Sequence, residues 1–332
     1  MAKADTFNIP GNREDLTDII TTVYNTETPL QNLAKRGKAK AMLHEFQSDK
    51  FFDPSFTPPD QGSDFQSFRN QSQLRARFGA RVQRFVETVS VSTEEELVVQ
   101  AGVPSESAEQ KMKALEQLRL DVEGALGSDQ ASNVVGKKTY TRGLGSWITN
   151  TQQTDQPVPT AYLTPAAQIY ASGAIASVGE LTFKGYMQSA WENGGKPNYV
   201  IAGTGAANQL DTFLTPATAP SSTNVQTDTR RYTMPADGRA VYEGIDFYKG
   251  PYGSLKILRT IYNARTSGVA LSTAARNRAY IINPDLLEIA VLQEMGFREL
   301  PDEGGGFRGY VDCFYAFGYL NPLGGAAIKA TS

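Results

Sequence analysis

The stretch PSESAEQKMKALEQLRLDVEGALG (Pro104–Gly127) carries the clearest periodicity in the chain. Ala108, Met112, Leu115, Leu118, Val122, Ala125 and Leu126 recur at intervals of three and four, the spacing of one helix face. Pro104 with Ser105 or Ser107 announces the start, Ser107 and Gln110 stand at capping-box spacing, and Gly127 ends the run. Glu109 and Lys113 form a favourable i, i+4 pair. At ~1.5 Å per residue, Glu106 to Leu126 spans roughly 32 Å, enough to brace a whole domain. The spacing predicts a single helix there, with Met112, Leu115, Leu118 and Val122 lying on a β-sheet of the same unit.

The residues ahead of this helix read as strand and loop. Ala39–Phe52 is strand-like, Asp53–Ser67 holds Pro54, Pro58, Pro59 and Gly62, and Arg81–Ser92 alternates through Val82, Arg84 and Val86 or through Phe85, Glu87, Val89 and Val91. Together these segments predict a long, projecting two-stranded arm. Residues 1–35 are polar, with Pro10, Gly11 and Pro29. They include one short helix from Arg13 to Tyr24, capped by Asn12, with Leu16, Ile19, Ile20 and Val23 on its apolar face. A helix this short is marginal alone and needs a surface to dock on, its own body or a neighbour.

Beyond the helix, the Thr/Gln/Pro-rich stretch Asn150–Pro165 marks a compositional boundary. A helix over Leu181–Trp191, a strand at Tyr199–Ala202, a helix near Ala206–Phe213 and a loop over Thr215–Thr229 follow. Ala240–Lys249 and Ser254–Tyr262 are β-rich and joined by Gly250-Pro251-Tyr252-Gly253, a hairpin signal. Ala279–Ile282, Leu286–Leu292 and Tyr310–Tyr319 supply further strands. The fold class is α+β, and a chain of 332 residues accommodates more than one core.

Composition narrows the function. Hydrophobic residues at 40% and charged residues at 20% describe a globular protein. The longest apolar runs, such as Ile289–Leu292, are far too short to cross a bilayer, so no membrane association is expected. The start of the chain, with Lys3, Asp5, Arg13 and Glu14, lacks an apolar signal segment, which points to synthesis in a cytoplasm and makes the sequon Asn70-Gln71-Ser72 a chance match. A net charge of −3 argues against a globally basic nucleic-acid binder.

A single cysteine, Cys313, excludes an internal disulfide, and a single histidine, His44, leaves too few ligands for a zinc site. No P-loop or serine elbow is present, so Lys38, Lys137 and Lys196 cradle no phosphate in that manner. Gly203-Thr204-Gly205-Ala206-Ala207-Asn208 follows a strand and precedes a helix, as a dinucleotide fingerprint does, but Asn208 stands where the third glycine belongs. A tight strand-to-helix turn accounts for the pattern. His44 reads as a partly buried structural residue, Cys313 as a buried inert thiol, and Asp302-Glu303 and Glu94–Glu96 as solvated acidic surface. No catalytic residue, cofactor or metal is expected.

One charge pattern stands out: Phe65–Val86 contains Arg69, Arg75, Arg77, Arg81 and Arg84 and no Asp or Glu before Val86. Such arginines suit phosphates, through counterion release, or carboxylates of a partner, through bidentate bonds.

The opening Asn12-Arg13-Glu14-Asp15-Leu16-Thr17-Asp18-Ile19-Ile20, then Thr26-Glu27-Thr28-Pro29, resembles that of a tailed-phage major capsid family. Lys38-Ala39-Lys40-Ala41, the strand His44-Glu45-Phe46-Gln47, the step from Tyr280 to Asn283-Pro284 and the aromatic final strand continue the likeness. The resemblance implies a Hong Kong 97-type fold, divided as an N-terminal arm over 1–40, a strand and extended E-loop over 41–103, a P-domain with its spine helix over 104–160, an A-domain over 161–275 and returning strands over 276–332. It implies a shell subunit assembling as hexamers and pentamers in a host bacterial cytoplasm, with scaffold, portal and decoration proteins as partners and double-stranded DNA against the inner face. Because the E-loop of that fold crosses a neighbouring P-domain, the arginines are expected to meet Glu94, Glu95, Glu96, Glu106, Glu109, Glu116, Asp121 and Glu123 of another copy. Leu16, Ile19, Ile20 and Val23 are expected to dock on a neighbour as well. A tail or other virion subunit, disfavoured by the long helix, and a nucleotide-dependent enzyme built on Gly203 are the alternatives.

Overall fold

A computed structural model describes residues 24–64, 68, 70–98, 102–171, 173–214, 246–301 and 304–331. The expected helix with Leu16, Ile19, Ile20 and Val23, together with Arg69, the whole loop Thr215–Thr229, the first part of the strand from Ala240 and the pair Asp302-Glu303, lies outside the described residues.

In chain order the elements are α1 (Pro29–Leu33), β1 (Lys35–Lys38), β2 (Leu43–Ser48), β3 (Ala76–Arg81), β4 (Gln83–Val91), α2 (Thr93–Leu97) and α3 (Glu106–Gly127). Next come β5 (Asn133–Val135), β6 (Lys138–Tyr140), α4 (Leu144–Trp147), β7 (Ile169–Tyr170), α5 (Glu180–Glu192), β8 (Tyr199–Ala202) and α6 (Thr204–Asp211). The chain closes with β9 (Phe247–Gly250), β10 (Gly253–Arg259), α7 (Thr273–Arg276), β11 (Arg278–Ile282), β12 (Leu287–Glu299), β13 (Phe307–Tyr319) and β14 (Ala326–Lys329).

The chain divides into two units. Among the described residues the smaller holds Val86–Leu118 and Met295–Asp312. In it the chain enters α3 through a built cap. The Ser105 hydroxyl accepts the Ala108 N–H at 3.4 Å, and the Glu96 carboxylate accepts the Ser107 N–H at 3.1 Å and the Ser105 hydroxyl at 2.7 Å. These donors hold the Glu96 carboxyl below the usual range. The helix therefore starts where expected, but its cap is Ser105 with Glu96, and Gln110 bonds Glu106 at 2.6 Å where a capping box would turn it to the backbone.

The buried stripe of α3 also departs from expectation. Ala114, Leu118, Leu120, Val122 and Leu126 are buried, Leu115 is only partly so, and Met112 is 61% exposed. Lys111 explains the rotation: its ammonium lies 4.2 Å from the Phe307 ring centroid and 5.1 Å from that of Phe297. A lysine over aromatic rings takes an inward position that an apolar pattern assigns to leucine or methionine.

The larger unit takes Glu27–Phe85, Arg119–Glu294 and Cys313 onward. Its six-stranded mixed sheet runs β7-β14-β11-β8-β10-β9. Phe183, Tyr186 and Met187 of α5 and Ala206, Ala207 and Leu210 of α6 pack with Val200, Leu255, Ile257, Ile281 and Ile328 of the strands in one core. The β9–β10 hairpin turns where predicted, with Gly253 at φ +133, which a side chain would strain. A second sheet has the order β1-β12-β13-β4, with β1 parallel to β12.

The arm differs from expectation in its pairing. β2 pairs antiparallel with β3, from Leu43 opposite Arg81 to Ser48 opposite Ala76, whereas the Arg81–Ser92 segment breaks at Val82 and joins the four-stranded sheet as β4. Gly79 permits this pairing. A Cβ there would lie 2.1 Å from the His44 carbonyl oxygen, so only glycine lets β3 approach β2.

Candidate inter-subunit surfaces

Between β2 and β3 the described residues 49–64, 68 and 70–75 form neither helix nor strand. Phe51, Phe56 and Phe68 are 93%, 91% and 90% exposed, and each offers a ring to solvent. The root of this arm is firmly held. Phe46, Phe78, Trp147 and Tyr162 form a ring cluster with centroids 4.9–6.1 Å apart. The Trp147 indole donates to the Phe317 carbonyl at 3.0 Å, and the Tyr162 hydroxyl donates to that of Leu74 at 2.6 Å with that of Ser48 at 3.1 Å. A rigid root carrying exposed aromatic rings is the anatomy of an interaction surface.

The arm arginines meet carboxylates of their own chain, which corrects the expectation that nothing internal neutralises them. Arg75 pairs with Asp49 at 3.0 Å and Arg77 with Glu45 at 3.4 Å, both across the β2–β3 arm. Arg81 bonds Asp155 through two nitrogens, at 2.7 and 3.2 Å, and this bond holds the Asp155 carboxyl below its ordinary range. Arg84 lies over Phe314, 5.6 Å from its centroid. Beside Asp155, the buried Arg142 stacks 4.4 Å from the Trp147 ring and donates to the carbonyls of Asp155 and Gln156. Burial pulls its pKa down to about 10. The connector read as a loop boundary is thereby fastened to the root of the arm.

The candidate acids have separate duties. Glu94 and Glu95 are exposed on α2, Glu96 caps α3, Glu106 bonds Gln110, Glu109 pairs with Lys113 at 3.4 Å, and Glu116 is exposed. Glu123 does not belong with them: it is fully buried, a correction to its place among the surface acids. Its carboxylate accepts the N–H of Leu30 at 2.7 Å, the N–H of Gln31 at 3.0 Å and the Gln31 side-chain amide at 3.3 Å. Arg119 adds a bond to the Thr28 hydroxyl at 3.1 Å, and its carbonyl accepts from Gln31 at 2.6 Å. Burial, opposed by these donors and by Arg119, pushes the Glu123 carboxyl up to about 7. Its position three residues from both Leu120 and Leu126 was the available signal that it faces inward.

The Gly203 turn connects β8 to α6, but protein fills it. Cβ atoms at Gly203 and Gly205 would lie 2.4 Å from the Arg276 carbonyl oxygen and 2.1 Å from the Asn277 side-chain oxygen, so both glycines serve the close passage of the 275–278 segment. His44 is partly buried, 3.8 Å from Glu288, and Cys313 is buried. Among the described residues no group of three His, Cys, Asp or Glu side chains gathers to hold a metal, and no helix is long and apolar enough to cross a membrane.

Comparison with known proteins adds three findings. The family described as "SU10 major capsid protein" matches residues 3–332. No curated protein sequence matches the chain. Among solved structures, a chain of the cyanophage A-1(L) capsid asymmetric unit superposes with a TM-score of 0.67 at 11% identity, covering 97% of this chain and 98% of that one. A chain from Mycobacterium phage Adephagia gives 0.59 at 10% identity (100% and 99% covered), and one from the capsid of a native GTA particle gives 0.58 at 11% (98% and 95%).

Proposed function

Because the chain belongs to the SU10 major capsid protein family and has the Hong Kong 97-type fold, we propose that it builds the head shell of a tailed phage by docking its projecting arm on a neighbouring copy. The function itself is structural: this is a major capsid protein that assembles with itself into an icosahedral shell. The observation that carries the docking mode is the arm, with three aromatic rings at least 90% exposed on a rigidly held root. Burying such rings against a second copy contributes roughly 1.5–3 kcal/mol each. The exposed Met112 offers an apolar patch of the receiving kind.

In this reading Arg75 and Arg77 exchange part of their exposed intrachain pairing for acids of the neighbour, such as Glu94, Glu95, Glu106, Glu109 and Glu116. An exposed pair contributes about 0–1 kcal/mol, so exchange is nearly free. The divisions 1–40, 41–103, 104–160, 161–275 and 276–332 serve as arm, E-loop, P-domain, A-domain and returning strands. Scaffold, portal and decoration proteins, packaged double-stranded DNA, hexamer and pentamer capsomers, assembly in the host cytoplasm and the absence of enzymatic activity complete the proposal. The tail-subunit reading drops away, since the family is a capsid family, and the close passage of Arg276 and Asn277 at the Gly203 turn counts against a nucleotide site there.

Electron microscopy of the expressed protein is the test. Wild type forms closed shells, while Arg75→Gln/Arg77→Gln/Arg81→Gln subunits stay folded and assemble less efficiently, most visibly at higher salt where the residual attraction is screened. Normal shells from the triple variant would remove the arginines from the contact. The apolar face of Leu16, Ile19, Ile20 and Val23 is assigned to a neighbour on the same logic, since a short amphipathic helix needs support. Deleting residues 2–25 leaves a soluble subunit that does not close shells; closed shells from the truncated chain would end that role.

A further inference from the structure

Six residues, Lys35-Arg36-Gly37-Lys38-Ala39-Lys40, contain four cations and no acid. They form β1, the outer strand of the four-stranded sheet, and run on beyond it, the Ala39 N–H donating to Val291 at 2.9 Å. Side chains alternate along a strand, so this segment has two faces. On one, Lys35 pairs with Asp285 at 3.0 Å, Gly37 leaves space for the Glu288 side chain, and Ala39 is buried with Val82, Ala290 and Ala316. The other presents Arg36 and Lys38, with Lys40 one step further. All three are exposed, and none has an ion-pair or hydrogen-bond partner among the described residues.

We propose that Arg36, Lys38 and Lys40 are a phosphate-binding rail for the backbone of duplex DNA. Repeating every second residue, they stand about 6.6 Å apart, which sets successive cations along one line. Arg36 and Lys38 border an open groove of ≈590 Å³ between β1 and Val291, Leu292 and Glu294 of β12, in which Glu294 is the one carboxylate. Uncommitted cations distinguish this strand from the arm, whose arginines Arg75, Arg77 and Arg81 already hold carboxylates. Arg36 supplies planar, bidentate recognition and the lysines supply point charges, a combination suited to phosphates without base sequence. The identity of the polyanion rests on the shell reading, since packaged DNA is what a head subunit encloses.

The test is fluorescence anisotropy of a labelled 30-base-pair duplex with unassembled full-length subunit across a salt series. Each phosphate neutralised contributes about 0.9 to the slope of log K against log salt, so Arg36→Gln/Lys38→Gln/Lys40→Gln lowers the slope by about 2–3. Lys38→Gln alone lowers it by about 0.9 and covers the case in which the triple variant fails to fold. Arg75→Gln/Arg77→Gln/Arg81→Gln leaves it unchanged. Absence of duplex binding by wild type, or equal slopes for wild type and both rail variants, overturns the proposal. Equal slopes with aggregation of the triple variant would assign the cations to protecting a sheet edge from pairing. Equal slopes with lost assembly would assign them to an acidic surface of a second copy. None of these outcomes touches the shell reading, which microscopy decides independently.

Discussion

Leu118→Asp is expected to yield an insoluble subunit, whereas Met112→Asp, six residues earlier on the same helix, folds normally. Leu118 is fully buried near the centre of α3. The substitution removes a buried leucine and places a carboxylate where solvent cannot reach it, together costing several kcal/mol. Against a total stability of about 5–15 kcal/mol, that loss is enough to prevent productive folding. Met112 is 61% exposed, so aspartate there changes subunit stability by no more than about 0.5 kcal/mol, and any effect falls on assembly. Soluble yield, circular dichroism and microscopy of both variants make the comparison. A soluble, shell-forming Leu118→Asp protein would refute the placement of the buried stripe.

The second large effect belongs to Glu123, which fastens the Leu30–Gln31 segment to α3. Glu123→Ala leaves two buried backbone donors without their acceptor, at a cost of about 1–3 kcal/mol each. The same residue sets a pH dependence. Its carboxyl stands at about 7 in the fold and at 4.5 without the surroundings that shift it. A raised folded pKa means that the folded state holds the proton more tightly, so the stability it contributes is full below pH 4.5 and is lost as pH rises through 7. The contribution amounts to roughly 3 kcal/mol between those limits. Urea unfolding of the subunit at pH 5 and pH 8 therefore shows wild type losing more stability toward pH 8 than Glu123→Gln, whose amide does not titrate. Identical pH responses would show that Glu123 keeps an ordinary carboxyl in the fold.

Elements governed by neighbours in sequence were legible before any coordinates. α3 spans the predicted run, α5 and α6 fall within two residues of expectation, β8 matches Tyr199–Ala202, and the β9–β10 turn stands at its Gly-Pro-Tyr-Gly signal. Each is specified by a period of 3.6 or 2 or by turn chemistry, and these act over a few residues. The shell assignment was legible for a different reason: short motifs from Asn12 to the final strand resemble one capsid family, and that family matches residues 3–332.

Tertiary structure alone decided which distant segments meet. β1 lies parallel to β12 with Lys35 opposite Glu288, and nothing in either strand names the other. β2 pairs with β3 at a close approach that Gly79 permits, a steric fact that exists only once both strands are present. The same holds for charge. Arg81 finds Asp155 at a separation of 74 residues, and Glu123 finds Leu30 at 93, so a segment read as basic is largely neutralised and an acid read as surface is buried. Charges interact through space, and a count along the chain measures only their supply. Periodicity thus determined the elements of this capsid subunit, while packing determined which of its described cations are neutralised by its own carboxylates.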